Sequence, residues 1–304
     1  MSCRLLVLSD VHANWPALES VLEDAAGRYD TVWFLGDAMG YGPFPIECLE
    51  YLRDQVCVSR WRTGNHDLGI FNRVPDFAWA NVASATLAIH RRELAALRPD
   101  LLTWLDGFAT LERCGPLGCQ LGRGQQVWTH ANLENNLNIY LFPSSTHDTR
   151  LNLLRLRTHL PQPKQCAWLL AGHSHIPCLF QLPAAETDYL RARPLTIRWG
   201  EPISVAGDHY YLNPGSVGQP RDGNPAACYM LLDTQELTAT WRRVEYRVDI
   251  TVAEMRNKNL RFDYGYPVES LQRWYEQGGT PDTIGKLANI YQRMPDGLSA
   301  IAYP

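Results

Sequence analysis

The sequence predicts an α/β protein built as a four-layer αββα sandwich: two mixed β-sheets with helices outside, followed by a C-terminal helical tail. Three observations predict it. The first 70 or so residues alternate strand, helix, strand, helix, strand, the order of a largely parallel sheet with right-handed crossovers. From about residue 108 onward, short strands punctuated by glycine take over and supply a second sheet. The final stretch, 250–304, carries only helical patterns.

Each element has a local reason. Residues 4–9 are a continuous apolar run that ends in polar residues, the pattern of a buried strand. Residues 16–27 place Leu18, Val21, Leu22 and Ala25 on one helical face and stop at Gly27. Residues 31–36 read as a second buried strand, 45–54 as a short helix with Ile46, Leu49, Tyr51 and Leu52 apolar, and 58–63 as a third strand. Residues 77–106 are helical with a break near Pro99. Strands are expected around 108–113, 119–122, 126–130, 167–171, 179–182, 196–198, 210–212, 227–232 and 237–244, with a helix over 148–160. The tail shows helical spacing at 251–257, 268–277 and 281–294. No linker demands two independent units. Residues 1–249 are therefore expected as one domain and 250–304 as an extension packed on it.

Composition excludes several classes. The chain has 304 residues, 45% hydrophobic and 20% charged, which is not a disordered composition. No apolar run approaches the roughly 20 residues that span a bilayer, and no signal-peptide pattern opens the sequence. Twenty-eight Lys and Arg against 32 Asp and Glu give a charge of −4, so no basic field exists for general nucleic-acid binding. The 8 cysteines are scattered without a C-x-x-C pair, as expected for free thiols in a reducing compartment, hence a cytoplasmic protein.

The residues that carry chemistry sit at strand ends. Asp10-Val11-His12 follows the first strand, Gly36-Asp37-Ala38-Met39-Gly40 the second, and Gly64-Asn65-His66-Asp67 the third. Thr129-His130-Ala131 and Gly172-His173-Ser174-His175 follow two later ones. In an open α/β sheet the carboxyl ends of the strands are where loops converge on a ligand. Imidazole, carboxylate and amide groups without thiolate suit a first-row divalent metal such as Mn, Fe, Zn, Co or Ni. In extended backbone, residues i and i+2 point the same way, so Asp10 with His12 and His173 with His175 can reach neighbouring ions. Seven candidate ligands exceed one tetrahedral site; divided between two ions by a bridging carboxylate, they suit a pair about 3.5–4 Å apart. His90, His147, His159 and His209 lie outside these segments and are assigned to the surface or to satisfied interior positions.

Together these blocks resemble the five signature segments of the calcineurin-like metallophosphoesterase superfamily, over residues 4 to about 233. Gly40-Tyr41-Gly42-Pro43, and Asn213-Pro214-Gly215-Ser216 with Gln219-Pro220-Arg221, are similar to its compact bacterial and archaeal phosphodiesterase-like branch. The resemblance implies a dinuclear centre in which Asp10, His12 and His175 hold one metal, Asn65, His130 and His173 the other, and Asp37 bridges. It implies that His66 is not a ligand but the acid that protonates the leaving-group oxygen. The implied reaction is in-line attack of activated water on a phosphoester.

The sequence departs from the family's protein phosphatases and symmetrical dinucleoside tetraphosphatases after the second block, where they carry arginine and this chain has Gly40 and Tyr41. The bidentate clamp on a terminal phosphate is missing from that loop, which tilts the expectation toward phosphodiesters or dinucleoside polyphosphates. Arg221 is a replacement candidate and Arg73 a weaker one, while Tyr41, Phe44, Phe71 and Trp79 are candidates for stacking on a base. Loop segments 133–143 and 183–202 are placed to shape a pocket. A phosphomonoesterase or phosphoprotein phosphatase with the same metals, and an inactive metal-binding scaffold for protein partners, are the alternatives. Retention of His66 argues against the scaffold.

Overall fold

The computed structural model describes residues 3–54, 58–74, 81–110, 116–134, 137, 139–143, 146–162, 165–258 and 260. Among them are twelve strands and seven α-helices. Strand β1 (Arg4–Leu8) is apolar except at its first residue and is buried on both faces, as the central strand of a covered sheet must be. Helix α1 (Trp15–Ala25) opens with Pro16 in its first turn and buries Leu18, Val21, Leu22 and Ala25; Gly27 follows in the left-handed conformation. Then come β2 (Thr31–Phe34), α2 (Pro45–Asp54), β3 (Val58–Trp61) and a five-residue helix α3 (Asn65–Gly69). Pro99 divides the long helical region into α4 (Asn81–Leu97) and α5 (Pro99–Phe108).

The second half supplies β4 (Leu117–Leu121), β5 (Gly124–Trp128), α6 (Thr146–Leu156), β6 (Ala167–Leu170), β7 (Cys178–Leu182) and β8 (Arg193–Pro194). It closes with β9 (Ile203–Ser204), β10 (His209–Asn213), β11 (Ala227–Asp233), β12 (Thr238–Val244) and α7 (Val248–Asn257). One six-stranded sheet has the order β3-β2-β1-β11-β12-β9, the other β4-β5-β6-β10-β7-β8. In the first, β1, β2 and β3 run parallel, with Leu5 opposite Thr31 and Leu8 opposite Phe34. In the second, β5, β6 and β10 run parallel. Both sheets finish with antiparallel strands, so both are mixed.

Alternation along β1 assembles the layers. Leu5 and Val7 face the other sheet and pack with Trp33, Trp128, Trp168, Leu170, Leu212 and Trp241. Leu6 and Leu8 face the opposite way, against Leu18, Val21, Leu49 and Leu101 of α1, α2 and α5. The outer face of the second sheet is covered by α6 through Leu153 and Leu156, against Leu169, Phe180 and Tyr211. This is the expected αββα sandwich.

Two expected strands differ. Phe108 is the last residue of α5, where it stacks with Trp104 and Trp61, and residues 111–113 lie outside the described residues. Residues 196–198 are loop. The strand nearby is β8, whose proline is tolerated because it pairs only at the edge, with Phe180 and Gln181 of β7. The division drawn at 249/250 falls within α7, which packs against the N-terminal half: Thr251 donates to Asn14 Oδ1 at 2.9 Å, and Lys258 reaches the Pro43 carbonyl and Glu93. The helices expected at 268–277 and 281–294 lie outside the described residues. No helix among the described residues is long and apolar enough to cross a membrane.

Candidate metal centre

All six segments around the centre leave the carboxyl ends of parallel strands: β1, β2 and β3 in one sheet, β5, β6 and β10 in the other. Backbone hydrogen bonds join the loops to one another. Asp10 and His12 donate to the Gly36 and Asp37 carbonyls, Gly172 to the His130 carbonyl, Gly218 to the Asp10 carbonyl and Arg221 to the His175 carbonyl. Residues far apart in sequence are thereby held as one surface.

The expectation of extended backbone at the Asp-x-His and His-x-His pairs is overturned. Asp10, His12, Asp37, His173 and His175 all have φ between 47° and 62°, the left-handed region that non-glycine residues avoid. Each costs on the order of 1–3 kcal/mol and persists only where the surroundings over-determine it. Convergence of the i and i+2 side chains comes from these tight turns.

Five of the seven expected ligand positions carry that strain, and all seven side chains converge. His12 Nε2 and His175 Nε2 lie 3.1 Å apart, and His175 Nε2 is 3.2 Å from Asp10 Oδ1. His130 Nε2 is 3.1 Å from both His173 Nδ1 and Asn65 Oδ1. Asp37 Oδ2 stands between the two groups, 3.8 Å from His12 Nε2 and 3.4 Å from His130 Nε2. Two clusters with the geometry to hold an ion result, one of Asp10, His12, Asp37 and His175, the other of Asp37, His130 and His173. Every one of these side chains is buried, and Asn65 is half-buried beside the second cluster.

The donor set fits cations. The outer nitrogens of three rings meet backbone carbonyls: His12 Nδ1 at Met39, His130 Nδ1 at Leu35 and His175 Nδ1 at Gln219, at 2.7–2.9 Å. A carbonyl accepts only, so those nitrogens carry the protons and, in the neutral rings, the inward nitrogens present lone pairs. Two lone pairs facing at 3.1 Å repel unless positive charge lies between them. Asp10 Oδ1 is a buried carboxylate oxygen with no hydrogen-bond partner, which also calls for a cation. Burial, then the neighbouring His175, pushes His12 down to about 3. At His130 burial opposes charge, but the Asp37 carboxylate outweighs it and lifts the ring to about 9.

His66 lies alongside the two clusters. Its backbone N–H donates to Asp37 Oδ1 at 2.9 Å, and its ring stands 4.7 Å from both the His12 and Tyr41 rings. Burial, and then His12, hold it well below histidine's ordinary value. Two glycines make room. A Cβ on Gly40, whose φ is +94°, would overlap His66 Nδ1, and a Cβ on Gly64 would overlap Asp37 Oδ1. Arg221 is 4% exposed; its guanidinium donates to Gln219 Oε1 at 3.0 Å, neighbours Tyr140, and lies 6.0 Å from the Tyr41 ring centroid. Tyr41 and Arg221 thus join the centre. Arg73 does not contribute there: it pairs with Asp106 at 2.6 Å and donates to the Ala109 carbonyl. Trp79 lies outside the described residues.

Sequence reasoning missed two residues. Asp67, quoted only as part of its block, accepts hydrogen bonds from the backbone N–H groups of Asp37, Ala38, Met39 and Gly64, so it sews the second block to the third. Its position three residues after Gly64, at the start of a helix, is a capping pattern that the sequence does display. Tyr140 stacks on His173 at 4.0 Å and 10°. Its loop carries no motif; the sequence pointed to segment 133–143 as a pocket wall but not to Tyr140 within it.

Of the four remaining histidines, His147 and His159 are exposed while His90 and His209 are buried. His90 has a definable task. Its Nδ1 accepts from the Gly40 N–H at 3.3 Å and its Nε2 donates to the Gly42 carbonyl at 2.8 Å, which fixes the loop carrying Tyr41. Burial pulls His90 down to about 4. Between about pH 6.5 and that value the unfolded chain takes up a proton that the folded chain refuses, so stability falls as pH falls. Urea unfolding at about pH 7.5 and about pH 5 is expected to show wild type losing roughly 2 kcal/mol more than His90→Gln. Equal losses would show that His90 is not held neutral by the fold.

Comparison with known proteins agrees with this geometry. Residues 3–177 match the calcineurin-like phosphoesterase family. The chain is 30% identical over 246 residues to the uncharacterized protein MJ0912 of Methanocaldococcus jannaschii, covering 80% of this chain and 88% of that one. Among solved structures, a metallophosphoesterase from Sphaerobacter thermophilus superposes with a TM-score of 0.69 at 32% identity, covering 91% of this chain and 100% of the other. The hypothetical protein PH1004 from Pyrococcus horikoshii shares the fold at 18% identity and a TM-score of 0.64, covering 91% of this chain and 99% of its own. With two clusters of buried aspartate and histidine meeting at Asp37 and the family match spanning the strands that carry most of them, the chain belongs to the calcineurin-like phosphoesterases, metal-dependent hydrolases of phosphoester bonds.

Proposed function

We propose that the chain is a cytoplasmic dinuclear phosphohydrolase acting on phosphodiesters or dinucleoside polyphosphates. The observation that carries this reading is the gathering of Asp10, His12, Asn65, His130, His173 and His175 around Asp37, with His66 and Arg221 at the edge of the same cluster. Asp10, His12 and His175 would hold one ion and Asn65, His130 and His173 the other, with the Asp37 carboxylate shared. Bound there, two first-row ions such as Mn, Fe, Zn, Co or Ni would supply a lowered water pKa and neutralise charge on the phosphoryl oxygens.

The chain's own groups do the rest. His66, beside the cluster and anchored through its N–H to Asp37, would hand a proton to the departing oxygen once the anionic phosphoester next to it offsets the burial that depresses the ring in the free chain. Arg221 presents N–H donors to a phosphoryl oxygen, held in aim by Gln219 and Tyr140. Tyr41 packs against His12 and His66 and closes their outer side. The preference for diesters and anhydrides is supported by the loop after Asp37, where Gly40 stands against the His66 ring and leaves no room for a side chain. Buried free thiols at Cys48, Cys166, Cys178 and Cys228 support a reducing compartment.

A metal-supplemented screen tests this reading. Purified chain with Mn²⁺ is expected to cleave bis(p-nitrophenyl) phosphate or a dinucleoside polyphosphate with a larger kcat/KM than p-nitrophenyl phosphate, and a chelator should abolish turnover. A preference for the monoester would move the assignment to a phosphomonoesterase or phosphoprotein phosphatase. No turnover on any ester would favour the protein-binding scaffold.

A further inference from the structure

Four of the expected ligands are histidines, and one ring is set differently from the other three. His12, His130 and His175 each turn Nε2 inward and rest Nδ1 against a backbone carbonyl at 2.7–2.9 Å. His173 does the reverse. Its Nδ1 stands 3.1 Å from His130 Nε2, on the inner side, so the nitrogen that fixes the other rings is here committed to the cluster. The torsion that swings an imidazole about its Cβ–Cγ bond is broad and soft. A ring that must offer one nitrogen to an ion therefore needs a neighbour outside the cluster to fix its plane.

For His173 that neighbour is a second ring. Tyr140 lies flat on it, with centroids 4.0 Å apart and planes 10° from parallel, and Tyr140 stacks in turn with Phe142 at 5.0 Å and 18°. The loop around Tyr140 is pinned almost residue by residue. The Ile139 carbonyl accepts from Asn132 Nδ2 at 3.3 Å, the Leu141 carbonyl from the Tyr211 hydroxyl of β10 at 3.4 Å, and the Phe142 carbonyl from Thr149 Oγ1 of α6 at 3.4 Å. Leu141 itself is buried with Leu153 and Leu156 of α6. Tyr140 is thus pressed on His173 by a braced segment. Rotation of the imidazole would drive its edge into the phenol face, so the stack keeps the ring in the plane that brings Nδ1 to the cluster. A cation on Nδ1 draws electrons out of the imidazole and strengthens its attraction to the electron-rich phenol face, so binding and stacking reinforce one another.

We infer that Tyr140 is a positioning residue for the second ion, its ring face fixing the His173 imidazole as backbone carbonyls fix the other three. The inference rests on the dinuclear reading and deepens it: the two ion sites have different supports, and only the second depends on a side chain from the loop before α6. The ring does this and not the hydroxyl, so phenylalanine should serve in its place.

Calorimetric titration of metal-stripped protein with Mn²⁺, together with metal analysis per chain, tests this without turnover. Wild type is expected to take two ions per chain; fewer would overturn the dinuclear reading, and this inference with it. Tyr140→Leu should weaken one site about 10- to 100-fold, the cost of removing an outer partner of a metal-binding histidine, and leave the other within about twofold. The weakened site should be the one that His173→Ala removes. Tyr140→Phe, which keeps the stack, should bind at that site within about threefold of wild type. With two ions in wild type, three results would each overturn the positioning role alone. They are an unchanged site in Tyr140→Leu, equal weakening of both sites, and a phenylalanine variant as weak as the leucine one, which would pass the role to the hydroxyl beside Arg221.

Discussion

Asparagine at position 37 is expected to empty the centre of most of its metal and to lower turnover by at least about 10³-fold, the equivalent of several kcal/mol of lost charge stabilisation. The Asp37 carboxylate faces both histidine groups through Oδ2 and receives the His66 N–H on Oδ1. Replacing one oxygen by NH₂ removes the negative charge both ions would share and aims a donor at a neighbour, whichever way the amide turns. Metal analysis per chain and steady-state rates on the best diester check it together. Full metal content with a rate within twofold of wild type would show that Asp37 does not bridge. The fold itself should survive, because the Asp37 backbone is still held by Asp67 and by its carbonyl's bond from the His12 N–H.

His66→Gln is expected to reduce kcat by about 10²- to 10⁴-fold while leaving metal content intact, the range for removal of a general acid. The separation follows from geometry: the His66 ring touches His12 and Tyr41, and its link to the ligand set runs through the backbone N–H, which glutamine keeps. The deficit should depend on the leaving group. An alkoxide needs the proton and should suffer the full loss, whereas a p-nitrophenolate departs more readily without it and should lose less. An equal deficit on both esters, or loss of metal in the variant, would make His66 a structural residue.

Most of the fold was legible because its signals are local. Buried parallel strands need continuous apolar runs, and α1 and α2 need stripes at helical spacing; both patterns stand in residues 4–54. Errors fell where tertiary contact overrides local preference. Phe108 has the residue type of a strand but is claimed by the aromatic cluster with Trp61 and Trp104. Residues 196–198 lost their expected strand to β8, whose edge pairing with β7 is not encoded in any periodicity. At the centre, candidate ligand types could be read from five strand-end blocks, but their backbone could not. Left-handed φ at five of the expected ligand positions is imposed by bonds between loops, such as that from His12 to the Asp37 carbonyl.

By itself, then, the order of residues determined which side chains are candidates for the chemistry and that they stand at strand ends, because those signals lie within a few neighbours along the chain. Only the packed structure decided that Arg221 and Tyr140 meet at the same centre, that Asp67 ties the second block to the third, and that Tyr140 lies flat on His173. Such relations join residues tens of positions apart. They exist only once two sheets, brought together by burial of Leu5, Val7, Trp168 and Trp241 between them, present the carboxyl ends of their parallel strands at one edge.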